Sequence, residues 1–148
     1  MITAHLREIG DAGSRELAGR LRIGLHQDVE VTDGSTSPGQ LVNQIFCSAL
    51  PVAYGRWPQP LWQDFGQLVL NAAYEATLLA AVLNSRRGCS NIVLLTMLGG
   101  GAFGNAREWI HTAIRRALDK TQGHGLDVRL VSYGQPSPER QKLARVGI

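Results

Sequence analysis

Ile92-Val93-Leu94-Leu95-Thr96-Met97-Leu98-Gly99-Gly100-Gly101-Ala102-Phe103-Gly104-Asn105 is the stretch that decides how this chain is read. The run Ile92–Leu98 is almost unbroken apolar, the pattern of a strand covered on both faces. Four glycines then fall within six positions, where missing Cβ atoms let backbone N–H groups approach a ligand. Asn105 with Glu108 three residues on makes a capping-box pattern. Trp109, Ile110, Ala113, Ile114, Ala117 and Leu118 follow at helical spacing, predicting a helix from Ala106 to about Lys120. A strand feeding a helix through glycines aims free N–H groups and the helix dipole at one spot, which favours phosphate or another anion.

Alternating elements surround this unit. Ser14–Leu25 reads as a helix with Leu17, Leu21 and Leu25 on one stripe, although Gly19 and Gly24 weaken it. Val29–Thr32 reads as a short strand and Leu41–Leu50 as another, ended by Pro51. Tyr54–Pro60 is a Pro/Gly/Trp loop. Leu61, Phe65, Leu68, Val69, Ala72, Ala76, Leu79, Ala80 and Leu83 predict one long amphipathic helix, closed by Arg86-Arg87-Gly88. Asp127–Tyr133 is a last strand, and Ser137-Pro138-Glu139 a start for a short terminal helix. The order predicts one α/β domain over residues 1–148, three-layered, with a central mixed, mostly parallel sheet.

Composition narrows the function. The chain has 148 residues, 44% hydrophobic and 18% charged; a domain of this length buries about 70% of its unfolded surface without disulfides or metals. A net charge of +3, scattered along the chain, argues against nucleic acid and slightly favours an anionic small ligand. Cys47 and Cys89 form no disulfide pattern, which fits a reducing compartment. No signal-peptide core lies in Met1–Gly10. Gln63, Asp64, Gln67, Asn71 and Glu75 interrupt the long helix, against a membrane span. A cytoplasmic protein is expected.

The glycine loop has rivals. Gly99, Gly101 and Gly104 satisfy G-x-G-x-x-G, but a dinucleotide-binding unit needs an acidic residue at the end of the next strand, and Asp127 precedes its strand. No Lys-Ser or Lys-Thr follows for a P-loop. Ala102 and Phe103 are no nucleophiles for a hydrolase elbow. A tight turn without a ligand stays open, although four glycines exceed what a turn requires.

Other residues carry paired readings. Phe103 is either a ring for a ribose or adenine or an apolar anchor at the helix start. Asn105 is a cap, a ligand contact, or both. Asp28, Glu30 and Asp33 cluster near a strand end, as a carboxylate that activates water would need to, or they line a solvated face. His5, His26, His111 and His124 show no metal spacing, and His111 reads as a surface residue. Trp57 and Trp62 belong to a packed loop or to a partner patch.

The loop Gly99-Gly100-Gly101-Ala102-Phe103-Gly104-Asn105 resembles that of the macrodomain family, the ADP-ribose-binding α/β fold, and is similar to the version found in poly(ADP-ribose) glycohydrolases. Leu41–Pro51 resembles the family's central strand, Leu61–Leu83 with Ala73-Tyr74 its long helix, and Val128–Tyr133 its last strand. Cys47-Ser48-Ala49-Leu50-Pro51-Val52-Ala53-Tyr54 together with Leu94–Asn105 looks closer to one branch, which includes a bacterial effector that removes ADP-ribose from arginine of modified ubiquitin. The likeness covers about residues 14 to 134.

The resemblance implies that Gly99–Asn105 holds the diphosphate, that Phe103 fixes the distal ribose and that Tyr133 borders the adenine. It implies ADP-ribose as ligand or product, ADP-ribosylated protein as partner, and no metal or cofactor. The family's Gly-Asp-Ile-Thr-like strand end and Asn-Ala-Ala-Asn-like loop find no match, so a domain lacking the first strands is expected. Metal-independent hydrolysis, a non-catalytic binding module and an inactive remnant all stay open. The open edge of an incomplete sheet would allow a homodimer.

Overall fold

The long apolar periodicity becomes the central helix of the molecule. The computed structural model describes residues 2–32 and 39–132, arranged as α1 (Ile2–Arg20), β1 (Gly24–Glu30), β2 (Leu41–Phe46), α2 (Gln63–Arg86), β3 (Ile92–Leu95), α3 (Arg107–Thr121) and β4 (Asp127–Leu130). Short 3-10 turns at Val52–Tyr54 and Gln59–Trp62 join β2 to α2. Leu70 and Leu78 of α2 are completely buried with Ile110 and Ile114 of α3. Ala73, Ala113 and Ala117, also fully buried, keep this region free of bulk. Each buried Leu or Ile contributes about 1.5–3 kcal/mol over its exposed state. Val93 and Leu95 of β3 complete the core. By length and composition Gln59–Arg86 could cross a membrane, but in this fold α2 lies against α3 as a core helix.

The protein is a mixed α/β fold. Among the described residues its strands form two separate pairs: β1 with β2 antiparallel, and β3 with β4 parallel across the α3 connection. The expected single central sheet is therefore reduced to one parallel pair and a hairpin. Nor is β3 covered on both faces. Val93 and Leu95 point into the core, whereas Ile92 is 47% and Leu94 65% exposed. The helices pack on one side only, so an unbroken apolar run has become a one-sided strand.

The front of the chain departs further from expectation. The helix occupies Ile2–Arg20 instead of Ser14–Leu25, with a break at Gly10 (φ 61°, ψ −165°). Leu6 is its one buried residue among those described. The helix is moored by polar contacts to the turn before α2 and to the first turn of α2. Thr3 Oγ1 donates to Leu61 O at 2.9 Å, and Arg7 Nε to Asp64 Oδ2 at 2.8 Å. The stripe Leu17, Leu21, Leu25 is split because the chain leaves the helix after Arg20 and Leu25 joins β1. That strand begins earlier than the predicted Val29, and its register shifts between His26 and Val29, where Asp28 takes a positive φ of 54°. Tyr133, Asp33 and the terminal helix start at Ser137 lie outside the described residues.

Candidate functional site

The glycine loop leaves the carboxyl end of β3, the side where ligands sit in open α/β sheets. Its root is fixed by Tyr74 of α2. The buried phenol donates to Thr96 O at 2.7 Å and accepts from Leu98 N at 2.8 Å. Burial pushes this phenol up to about 12, the hydrogen bond from Leu98 acting in the opposite direction. The loop then folds on itself through Gly100 N to Met97 O, Gly104 N to Gly101 O and Asn105 N to Gly99 O, each 3.0 Å. Three of its amides are thus consumed internally. Those of Gly99, Gly101, Ala102 and Phe103 donate to no group among the described residues.

The glycines divide by cause. Gly99 and Gly104 have φ of +73° and +69°, the left-handed region that favours glycine. A Cβ on Gly99 would overlap Ala49 and lie 2.6 Å from Asn105 Nδ2, and one on Gly104 would lie 2.9 Å from Ala53 Cβ. A Cβ on Gly100 would press on Ile110 Cδ1 at 3.1 Å. At Gly101 it would meet nothing within 4 Å. Packing therefore accounts for three glycines and leaves Gly101 on open solvent.

A second loop, between β2 and α2, clamps the first. Ala53 N donates to Phe103 O at 2.9 Å, and Gln59 Nε2 to Gly104 O at 2.8 Å. Asn105 Nδ2 donates to Leu50 O at 2.7 Å and Gly99 O at 3.3 Å. The Tyr54 ring meets Phe103 edge-on, centroids 6.2 Å apart and planes at 83°. By sequence alone Tyr54–Pro60 reads as a separate loop. The Gly/Ala pairings Gly99 with Ala49 and Gly104 with Ala53 join the two, and such close approach leaves no periodic signature.

Asn105 does not cap α3. Ala106 holds the N-cap position with extended backbone (φ −61°, ψ 140°) and no side-chain cap, so the expected capping box with Glu108 is absent. The buried Asn105 side chain turns back to tie the two loops, and its Oδ1 has no partner among the described residues. Replacing Asn105 with alanine removes two hydrogen bonds and should lower stability by about 1–3 kcal/mol, measured by urea unfolding.

Of the acidic candidates, Asp28 and Glu30 do not join this site. Asp28 lies 3.7 Å from Arg87 and its amide bonds to Asn43 Oδ1, while Glu30 Oε1 accepts from Gly39 N. Arg87 follows the C-terminal end of α2, whereas Gly66, near the N-terminal end, packs under Asn105 and Trp109. The helix between them spans about 30 Å at 1.5 Å per residue. His111 is half-buried with its Nε2 enclosed, not a surface residue. Cys47 follows β2 and is half-buried; burial raises its thiol above the ordinary value, opposed by a hydrogen bond with Thr77. No group of three or more His, Cys, Asp or Glu among the described residues is arranged to hold a metal.

No protein-family model, curated protein or solved structure matches the chain.

Proposed function

We propose that this protein is a macrodomain-like α/β module that recognises ADP-ribose, free or attached to a modified protein, with the diphosphate held on the backbone of Gly99–Phe103. The observation that carries the reading is the set of four undirected amides, at Gly99, Gly101, Ala102 and Phe103, on a loop at the carboxyl end of β3. N–H groups with no protein acceptor in a glycine loop before a helix suit a pyrophosphate better than an apolar ligand. The wording Leu94–Asn105 supplies the resemblance that names the ligand, and Phe103, 37% exposed on the same loop, is available to a ribose. Recognition is favoured over hydrolysis by the placement of Asp28 at the far end of α2, which leaves this carboxylate unable to serve the loop.

The test is calorimetric. Wild-type protein should bind ADP-ribose, and Gly101→Val should lose at least tenfold in affinity. Because a Cβ at Gly101 meets nothing within 4 Å, the variant should keep its circular dichroism and melting temperature. Equal affinity in the variant would remove the loop as the phosphate cradle. No heat at millimolar ADP-ribose would end the reading. Release of ADP-ribose from arginine-modified protein would overturn the preference for recognition.

A further inference from the structure

We infer that the cleft between α1, α2 and α3 is a second ligand site, built for a small phosphomonoester whose phosphate lies between Arg15 and Arg116. None of its lining residues belongs to the glycine loop, and it stands or falls apart from the reading of that loop.

Arg116 carries the inference. It lies midway along α3, and its Nε is enclosed without an acceptor among the described residues. A guanidinium N–H shut off from water ordinarily finds a carboxylate or carbonyl, because leaving it unpaired is costly. The carboxylate at hand is Glu75 of α2, which lines the same cavity. Its Oε1 is already taken by Lys120 Nζ. Arg15 of α1 also lines the cavity and makes no ion pair among the described residues, not even with Asp11 one turn before it. Two guanidinium groups from different helices thus border one space with no carboxylate bonded to either.

The other lining groups suit the same guest. The cavity, of about 170 Å³, also presents Ser14 and Asn71. Gln67 Nε2 donates to Asn71 Oδ1 at 2.9 Å, which fixes the acceptor end of that amide and leaves its Nδ2 donors for the cavity. Donors from three helices therefore surround one space. An anion with oxygens in several directions answers them, whereas a planar carboxylate reaches fewer. A second hollow, of about 380 Å³, adjoins the first beside the break of α1 at Gly10 and shares Asp11, Ser14 and Asn71 with it. Asp11 and Gln67 there offer acceptors to hydroxyl groups, and Leu6 and Leu68 offer apolar surface. Free phosphate would leave this hollow unused, so the shape favours an ester with a short hydroxylated body.

The experiment titrates glycerol 3-phosphate and inorganic phosphate, by calorimetry in phosphate-free buffer, into wild-type protein, Arg15→Gln, Arg116→Gln, Arg115→Gln and Gly101→Val. The wild type should bind the ester several-fold tighter than inorganic phosphate. Arg15→Gln and Arg116→Gln should each weaken the ester by roughly tenfold or more, the loss of a charge-assisted hydrogen bond. Arg15 is exposed, so its variant keeps the fold even where Arg116→Gln disturbs it. Arg115→Gln removes the same charge from an exposed position on α3 outside the cavity and should leave binding unchanged, as should Gly101→Val. Binding lost in Gly101→Val but kept in the Arg15 and Arg116 variants would put the phosphate on the glycine loop, overturning this inference and leaving that reading standing. Equal losses in all three arginine variants would reduce the effect to general charge and overturn it as well. Equal affinity for the two probes would overturn the ester as the guest. No heat from either probe would overturn the site without touching the ADP-ribose reading.

Discussion

Gly99→Ala should lower the unfolding free energy by about 2–4 kcal/mol, the largest effect of any change in the glycine loop. Two costs add. Alanine at a φ of +73° occupies the left-handed region at about 1 kcal/mol or more. The new methyl group then overlaps Ala49 and approaches Asn105 Nδ2 to 2.6 Å. Neither neighbour is a flexible side-chain end. Ala49 has only its Cβ, and Asn105 Nδ2 is bonded to Leu50 O. Overpacking of this kind costs about 1–3 kcal/mol. Urea unfolding of Gly99→Ala beside Gly101→Ala checks the argument, since Gly101→Ala should change stability by less than about 0.5 kcal/mol. Equal, small effects at both positions would mean the two loops are not packed as described.

That contrast shows what the sequence can and cannot announce. Four glycines in six positions read as one feature with one purpose. In the fold, Gly99, Gly100 and Gly104 answer to Ala49, Ile110 and Ala53, and of the four only Gly101 leaves open space where a Cβ would stand. Helix periodicity was reliable where burial is one-sided: α2 and α3 fall within a few residues of the predicted spans. It failed at the front, where α1 buries only Leu6 among its described residues and is held by Thr3 and Arg7, contacts that leave no apolar stripe. The capping box was misread because Asn105 met a stronger demand, tying Leu50 O to Gly99 O, than the α3 amides made on it.

The one-sided sheet bears on the site through its edges. A parallel pair ordinarily has both faces covered, yet Ile92 and Leu94 present apolar surface opposite α2 and α3. The order of the glycine loop therefore does not come from a full sandwich. It comes from three local anchors: the Tyr74 hydroxyl at its root, Asn105 at its end and the Ala53–Phe103 hydrogen bond across its middle. A site built this way should lose ligand affinity when an anchor is cut, even if the helices survive.

Tyr74 makes that dependence visible in pH. Its phenol titrates near 10 in the unfolded chain and is pushed up to about 12 in the fold by burial. The folded state therefore binds the proton more tightly, and the associated stability is fully present below pH 10. It drains away as pH rises through 10 towards 12. A gap of two units corresponds to about 2–3 kcal/mol. The Cys47 thiol, also raised by burial, contributes a loss of the same sign that begins nearer pH 9, so the tyrosine part is isolated by comparison with Tyr74→Phe. At neutral pH that variant should be about 1–3 kcal/mol less stable, because Leu98 N and Thr96 O each lose a buried partner. Between pH 10 and 12 its stability should fall less steeply than that of the wild type. Parallel curves for the two proteins would show that the hydroxyl is not enclosed between the strand end and the loop. A flatter curve together with weakened ADP-ribose binding at pH 7 would place the loop's order in the hands of this one side chain of α2.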